Sequence, residues 1–371
     1  MFKRLWSPPS RSTFLQGLAL GVTAALLWWF GHNTAISLDQ HGISLGFGFL
    51  KQPANFEIGD TAWLHFSPDD SFVKAIAVGL LNTATVSVIG CTLAIVLGFV
   101  IGVLRLSRNP ALSSLMRAFV ELVRNTPLLL LLLFLAATLH GLPPTHQALQ
   151  PLPGLFISDR GLVMPYPMIS RLSGCFVIVL LLALLLWRRM GRRVGFAVVV
   201  ATLAALAITF MLRRPVLAVP RLVRFNFTGG VTLSPEFAAL LAALVLHHSA
   251  HISEVVRGAI LAVPRGQKDA AHALGLSRMQ TMLYVTIPQA LRAMIPLLAT
   301  NCVSLIKNSS LAVAIGFPDV VSVLNTTGNQ TGHSIEAMLI MVVVYLTMSL
   351  TIAAVLNNYN TRLLRPVTRP A

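Results

Sequence analysis

Residues Ala75 to Leu104 read AIAVGLLNTATVSVIGCTLAIVLGFVIGVL, thirty positions without a charge. About 20 apolar residues cross a bilayer as a helix. Hydrocarbon offers no water to backbone groups, so a spanning segment must be a helix or part of a closed barrel. The stretch does not alternate apolar with polar residues, which selects the helix. The whole chain agrees: 55% of its 371 residues are hydrophobic, 11% are charged and the mean hydropathy is +0.76. A soluble domain would carry about 25% charge. The fold class expected is therefore all-α transmembrane.

Working outward, seven further runs are long or apolar enough to be spans, giving about eight. Phe14 to Phe30 comes first, followed by a polar segment from Gly31 to Ser71. The others are Leu115 to Leu139, Leu172 to Trp187, Val194 to Leu212, Phe237 to Arg257, Ala290 to Gly316 and Ile335 to Leu356. The first run sits behind Lys3, Arg4 and Arg11 as a signal peptide would, but Trp28 and Trp29 suit a membrane interface and mark it as a retained anchor. The proline-rich stretch Leu142 to Pro167 reads as an extracytoplasmic loop, since proline breaks helices.

A net charge of +16 would suggest nucleic acid in a soluble protein. Here the basic residues cluster between spans. With the amino terminus inside, the inside segments collect Lys3, Arg4 and Arg11, then Arg105, Arg108 and Arg117, then Arg188 to Arg193, then Arg257 to Arg292, then Arg362 to Arg369. Most acids fall outside. Cytoplasmic loops are enriched in Lys and Arg, so both termini are expected to be cytoplasmic and nucleic acid is not an expected partner. Arg213, Arg214, Arg221 and Arg224 lie on the outside and run against this trend. Cys91, Cys175 and Cys302 stand far apart inside apolar runs and read as small buried residues.

One segment between the sixth and seventh runs has the grammar of a surface hairpin. Gln267 to Pro288 reads QKDAAHALGLSRMQTMLYVTIP. Good helix formers fill Gln267 to Leu274, and Gly275 stands where a helix ends in a left-handed residue. Ser277 followed by Gln280 forms a capping box for a second helix, and Pro288 marks the exit toward the next span. Small residues on one helix and Met279, Met282 and Leu283 on the next suit either packing on the same chain or another protein's groove.

Asp269, Ala270, Ala271, three residues, Gly275, nine residues, then Val285, Thr286, Ile287 and Pro288 resemble the EAA loop of importer permeases of the ATP-binding cassette family. The departures are Asp at 269, Val at 285 and Ile at 287. The resemblance extends to Gly79–Thr83, to Glu121–Leu128 (ELVRNTPL), to Glu254–Gly258 and to Ser304–Asp319, as in polar amino-acid permeases. Together these cover most of Ala75 to Tyr359.

The resemblance implies a type I ABC importer permease with a core of five helices plus three additional ones. It resembles the larger permease of general L-amino-acid importers. Three regions are implied: residues 1–74 as anchor and extracytoplasmic segment, 75–359 as permease domain with a two-helix insertion at about 141–234, and 360–371 as a cytoplasmic tail. Asp269, Ala270, Ala271, Gly275 and Pro288 would couple to a separate ATPase. That ATPase, present twice, would bind the ATP and Mg, and no cofactor is expected in this chain. A second, smaller permease and a periplasmic amino-acid-binding protein complete the implied complex in the inner membrane. The sequence contains no Gly-Lys pair, so GxxxxGK[ST] is absent.

Ionisable residues at membrane depth are costly. Glu121 and Arg124 are three apart, as are Glu254 and Arg257, so each pair either neutralises itself on its helix or faces a translocation path. Lys307 raises the same alternative. Asn82 and Thr83 would line a polar path or fasten helices. His247, His248 and His251 with Glu254 invite a metal, although no metal site is expected, because interior histidines more often bond between helices. Two rivals follow: an ion-gradient transporter with Glu254 or Lys307 as relay, and an intramembrane enzyme using the histidines.

Overall fold

In the computed structural model the described residues are 11–40, 46–61, 63–168, 198, 200–205, 216–223 and 226–363. Helix α1 (Arg11–Gln40) outlasts the first apolar run by ten residues, so the segment Gly31 to Ser71 is helical at its start. Its described side chains are all exposed, as suits a helix solvated by lipid. Residues 46–61 and 63–71 form a folded cap, in which Phe49, Phe56 and Phe66 gather around Phe72. Glu336 accepts the Gly46 N–H at 2.8 Å, and the His333 ring stacks on Phe49.

Helix α2 (Phe72–Leu104) contains the opening stretch. The third predicted span is not one helix. It is α3 (Pro110–Asn125) and α4 (Leu128–His140), bent by 102°. Pro127 has no N–H to donate and forces Thr126 into extended backbone, so the helix must stop there. Asn109 caps α3, accepting from the Ala111 and Leu112 amides.

The expected loop Leu142–Pro167 contains strands, which corrects the all-α expectation to a mostly helical one. Strands β1 (Leu149–Leu152), β2 (Leu155–Ser158) and β3 (Gly161–Met164) form an antiparallel sheet completed by β8 (Val231–Leu233). Strand β4 (Tyr166–Met168) pairs with β5 (Val216–Ala218), and β6 (Arg221–Val223) with β7 (Asn226–Thr228). The run Leu172 to Trp187 lies outside the described residues, and of Val194 to Leu212 only 198 and 200–205, which are helical, lie within them.

Helix α5 (Pro235–Ala262) follows the sheet, with Ser234 as its cap. Then come α6 (Arg265–Ala273), α7 (Arg278–Gln280), a π-helical turn (Thr281–Thr286) and α8 (Ile287–Asn308). A 3₁₀ segment (Ser309–Ile315) replaces the expected continuation of the seventh span to Gly316. Short α9 (Val320–Thr331) and long α10 (Ser334–Leu363) complete the bundle. Five helices among the described residues are long and apolar enough to span, or six if α3 and α4 count as one broken span.

The core is built on α2 against α5. A Cβ at Gly98 would lie 2.7 Å from the Ile252 side chain and 2.9 Å from the Ser249 carbonyl. At Gly102 the corresponding approaches are 2.7 Å to Val256 and 2.8 Å to the Ser253 carbonyl. Only glycine permits this backbone contact, the means by which membrane helices associate without a hydrophobic drive. Leu132, Leu240, Leu244, Ile260, Met294 and Leu305 fill the space around it. The sheet lies at the start of α5 and the α6–α7 hairpin at its end, roughly 40 Å away at 1.5 Å per residue.

Candidate functional site

The hairpin after α5 is fixed by backbone chemistry at both turns. Helix α6 ends in a Schellman motif: Leu276 N–H donates to the Ala271 carbonyl at 3.1 Å and Gly275 N–H to His272 at 2.9 Å. Gly275 has φ +78, the left-handed region that costs any side chain about 1–2 kcal/mol. Ser277 then accepts the Gln280 amide while Gln280 Oε1 accepts the Ser277 amide, so the expected capping box is present. Gln289 Nε2 donates to Gln267 Oε1 and ties the two arms together.

Pro288 falls in the first turn of α8, where the next span begins, and the helix is continuous through it from Arg278. Proline removes one amide donor and crowds the carbonyl four residues back; the π turn Thr281–Thr286 just before it re-spaces those bonds.

Side-chain placement divides the loop. Ala271 is buried against the second arm, whereas Asp269, Ala270 and Gly275 are exposed. Met282 turns inward to pack on the core. The outward apolar surface is instead Leu274, Met279, Leu283 and Tyr284, with Leu274 82% exposed and Tyr284 72%. The sequence reading missed Leu274 and Tyr284, because Leu274 is the cap residue beside the glycine bend and Tyr284 lies in the π turn, where α-helical periodicity assigns no face. Four apolar side chains are thus left uncovered on the hairpin.

Above the hairpin, Glu254 holds two guanidinium groups. Arg257 donates to its Oε1 at 2.6 Å, as the spacing suggested, and Arg105 at the end of α2 donates to its Oε2. Arg105 was not paired with it in the sequence reading, since nothing local links positions 149 apart. Glu121 and Arg124 do not pair; both are exposed on α3. Arg124, His251, Glu254 and Asn301 line one cavity of about 540 Å³ between the ends of α3 and α5 and the middle of α8. Lys307 lines a separate, largely apolar cavity with Ser310, Tyr345 and Ser349.

Asn82 and Thr83 are both buried and both fasten. Asn82 Nδ2 donates to the Asp60 and Pro318 carbonyls at 2.8 and 3.0 Å, and Thr83 Oγ1 accepts the Val320 amide at 3.0 Å. They join α2 to the cap and to the start of α9. Asn82→Leu leaves two carbonyls without a donor, so it is expected to cost about 1–3 kcal/mol, seen as a lower melting temperature of the purified protein in detergent. The side chain of Asp60, beside Asn82's partner carbonyl, accepts from Ser234 at 2.7 Å; burial pushes its pKa above the usual carboxylate value.

The histidine rings are neighbours, with His247 and His248 5.4 Å apart, but they point to different partners. His247 and His251 rings lie 4.8 Å apart, while His248 turns to the Asn308 amide at 3.2 Å. No group of three or more potential metal ligands comes together among the described residues.

The comparisons agree with this architecture. A family model described as binding-protein-dependent transport system inner membrane component matches residues 94–365. The general L-amino acid transport system permease protein AapQ of Rhizobium johnstonii is 36% identical over 382 residues, spanning 97% of this chain and 94% of that protein. The putative amino-acid ABC transporter permease protein YhdX of Escherichia coli K12 is 38% identical, spanning 96% and 95%. Among solved structures, an amino acid ABC transporter with histidines superposes with a TM-score of 0.50 at 20% identity, over 78% of this chain and 95% of that one. That likeness concerns the fold alone. The family match takes in the glycine-packed helices, the Arg105–Glu254–Arg257 cluster and the hairpin, and on that ground the chain belongs to the family of inner-membrane components of binding-protein-dependent transport systems.

Proposed function

We propose that this chain is the larger permease subunit of an ATP-driven importer that carries L-amino acids across the bacterial inner membrane. The observation that carries the reading is the hairpin Gln267–Pro288, an apolar knob set by a Schellman turn and a capping box. The names of the relatives supply the substrate class. Two ATPase subunits bind ATP and Mg and dock on the hairpin, with Asp269, Ala270, Ala271, Gly275 and Pro288 forming or shaping the contact. A smaller permease and an extracytoplasmic binding protein complete the complex.

In this reading the chain has eight spans, counting Leu172 to Trp187 and Val194 to Leu212, and both termini are cytoplasmic. Residues 1–74, 75–359 and 360–371 are anchor, permease domain and tail, with the insertion at about 141–234 carrying the sheets. Closure of the paired ATPases moves the hairpin, the hairpin moves α8, and the path between permeases opens outward. Reopening returns it inward.

The test is uptake by proteoliposomes. The co-purified complex with ATP and binding protein is expected to accumulate labelled L-amino acids, and this chain alone none. Gradient-driven uptake by the chain alone would overturn the reading in favour of a secondary transporter.

A further inference from the structure

Arginine is scarce in extracytoplasmic loops. In the orientation proposed above, the extracytoplasmic parts of the insertion, 141–171 and 213–234, nevertheless hold Arg160, Arg171, Arg213, Arg214, Arg221 and Arg224 against one acid, Asp159. Neither the coupling hairpin nor the helix bundle accounts for this excess. Arg221 stands on the two-stranded ribbon β6–β7, with all of that first strand exposed.

Strand order places the ribbon away from lipid. Strand β8 leads through Ser234 into α5 and so descends toward the membrane, while β3, antiparallel to it, rises from Gly161 to Met164. The backbone of Gly230 packs at the raised end, where a Cβ would come within 2.7 Å of the Met164 carbonyl, so the ribbon is rooted there. The extended chain between Pro235 and Val231 lifts that root roughly 13 Å above the start of α5. Helix α5 itself, 28 residues and about 42 Å long, already exceeds the roughly 30 Å hydrocarbon layer. Acyl chains do not reach the ribbon.

Cross-strand pairing gives the ribbon two faces. Leu222 lies opposite Phe227, whose ring packs against Phe156 of β2 with centroids 5.0 Å apart, and this is the seated face. The other carries Arg221 and Val223 opposite Thr228 and Asn226, all four exposed. Val219 is exposed at the ribbon's base, beside the β1–β2 turn at Gly154, and Leu152 is exposed at the end of β1. A solvated sheet face is ordinarily polar. Apolar side chains around an arginine are the composition of a protein interface.

We infer that this outer face of the β6–β7 ribbon, centred on Arg221, is a docking surface for the extracytoplasmic binding protein, which meets it with an acidic and apolar patch. The inference rests on the importer reading above and adds to it the place on this chain where that partner is held. Charge complementarity selects the partner's surface, since six arginines against one acid call for carboxylates. The height of the ribbon selects a soluble protein over lipid headgroups. The insertion thereby supplies a foothold outside the helical core.

The test is binding of the importer's purified binding protein to the complete complex in nanodiscs, followed by biolayer interferometry. Arg221→Glu is expected to weaken binding at least about tenfold at about 50 mM salt and by a smaller factor at about 300 mM, because salt screens exposed charges. Arg221→Lys is expected to keep most of the affinity. Val219→Ser with Val223→Ser is expected to weaken binding about tenfold at both salt concentrations, through lost apolar burial. These side chains are exposed, so the variants are expected to keep the wild-type melting temperature and subunit composition. Wild-type affinity in Arg221→Glu or in the valine pair, or no binding by the wild type, overturns the surface. Loss of the smaller permease from the variants with unchanged binding per intact complex also overturns it, and assigns the ribbon to the contact between permeases. Uptake by the wild-type complex, measured in parallel, separates the two claims: intact uptake with any of these results removes the docking surface alone, whereas no ATP-driven uptake removes the importer reading itself.

Discussion

Gly275→Pro is expected to reduce ATP-driven uptake and substrate-stimulated ATP hydrolysis at least about tenfold, while the chain still inserts and its bundle still folds. Proline locks φ near −65°, whereas position 275 has φ +78. It also lacks the amide that Gly275 gives to the His272 carbonyl. The Schellman turn cannot then close, and Leu274 loses its placement relative to Met279 and Tyr284. Nothing lies within 4 Å of a Cβ at this position, so Gly275→Ala meets only the left-handed strain, about 1–2 kcal/mol, and is expected to fall between. Proteoliposome uptake and ATPase rates, normalised to chain recovered in the membrane, give the answer. Wild-type rates in Gly275→Pro would show that the hairpin does not couple.

The second large effect lies in the core. Gly102→Leu places a branched side chain where even a Cβ would come within 2.8 Å of the Ser253 carbonyl and 2.7 Å of Val256. A backbone carbonyl cannot rotate away, so α2 and α5 must separate, and the cost exceeds the 1–3 kcal/mol typical of an overpacked core. Folded yield, read as the monodisperse fraction in detergent gel filtration, is expected to collapse. Gly102→Ala is expected to lower it less, and Gly102→Ala with Val256→Gly to recover part of that loss, because the second change removes the Val256 Cβ and Cγ1 that the added methyl would meet and leaves only the Ser253 carbonyl. Wild-type yield for Gly102→Leu would mean that the helices are not in the contact described.

What the sequence disclosed follows from which signals are local. Helices α2, α5 and α10 were legible because a long apolar run has one solution in a membrane. The hairpin was legible because Gly275, Ser277 and Gln280 act on their immediate neighbours. The bend at Thr126 was present in the letters, as a proline preceded by threonine, but the apolar run Leu128–Leu135 concealed it. Short α9, reading VVSVLNTTGNQT, has too few apolar residues to register as a helix in lipid; Asp319 at its cap and Thr83 of α2 hold it in place. The strands β1 to β8 have three or four residues each, below the length at which alternation can be recognised. In the candidate site, Glu254 with Arg257 was a local pair and was found. Arg105 and Asn301 reach that region from distant helices, and no spacing in the sequence could have assigned them to it.

The π turn ahead of Pro288 decides where this molecule can flex. Without it, the proline would put a joint between the hairpin and the membrane, and a push on Tyr284 would be absorbed there. With it, Arg278 to Asn308 is continuous helix of roughly 45 Å. A displacement at the knob is therefore carried past Pro288 as far as Pro296, whose missing amide lets the helix bend. The compliance lies there and at the far end, in the 3₁₀ segment Ser309–Ile315 and the left-handed Gly316, so a small stroke outside the bilayer becomes a bend within it.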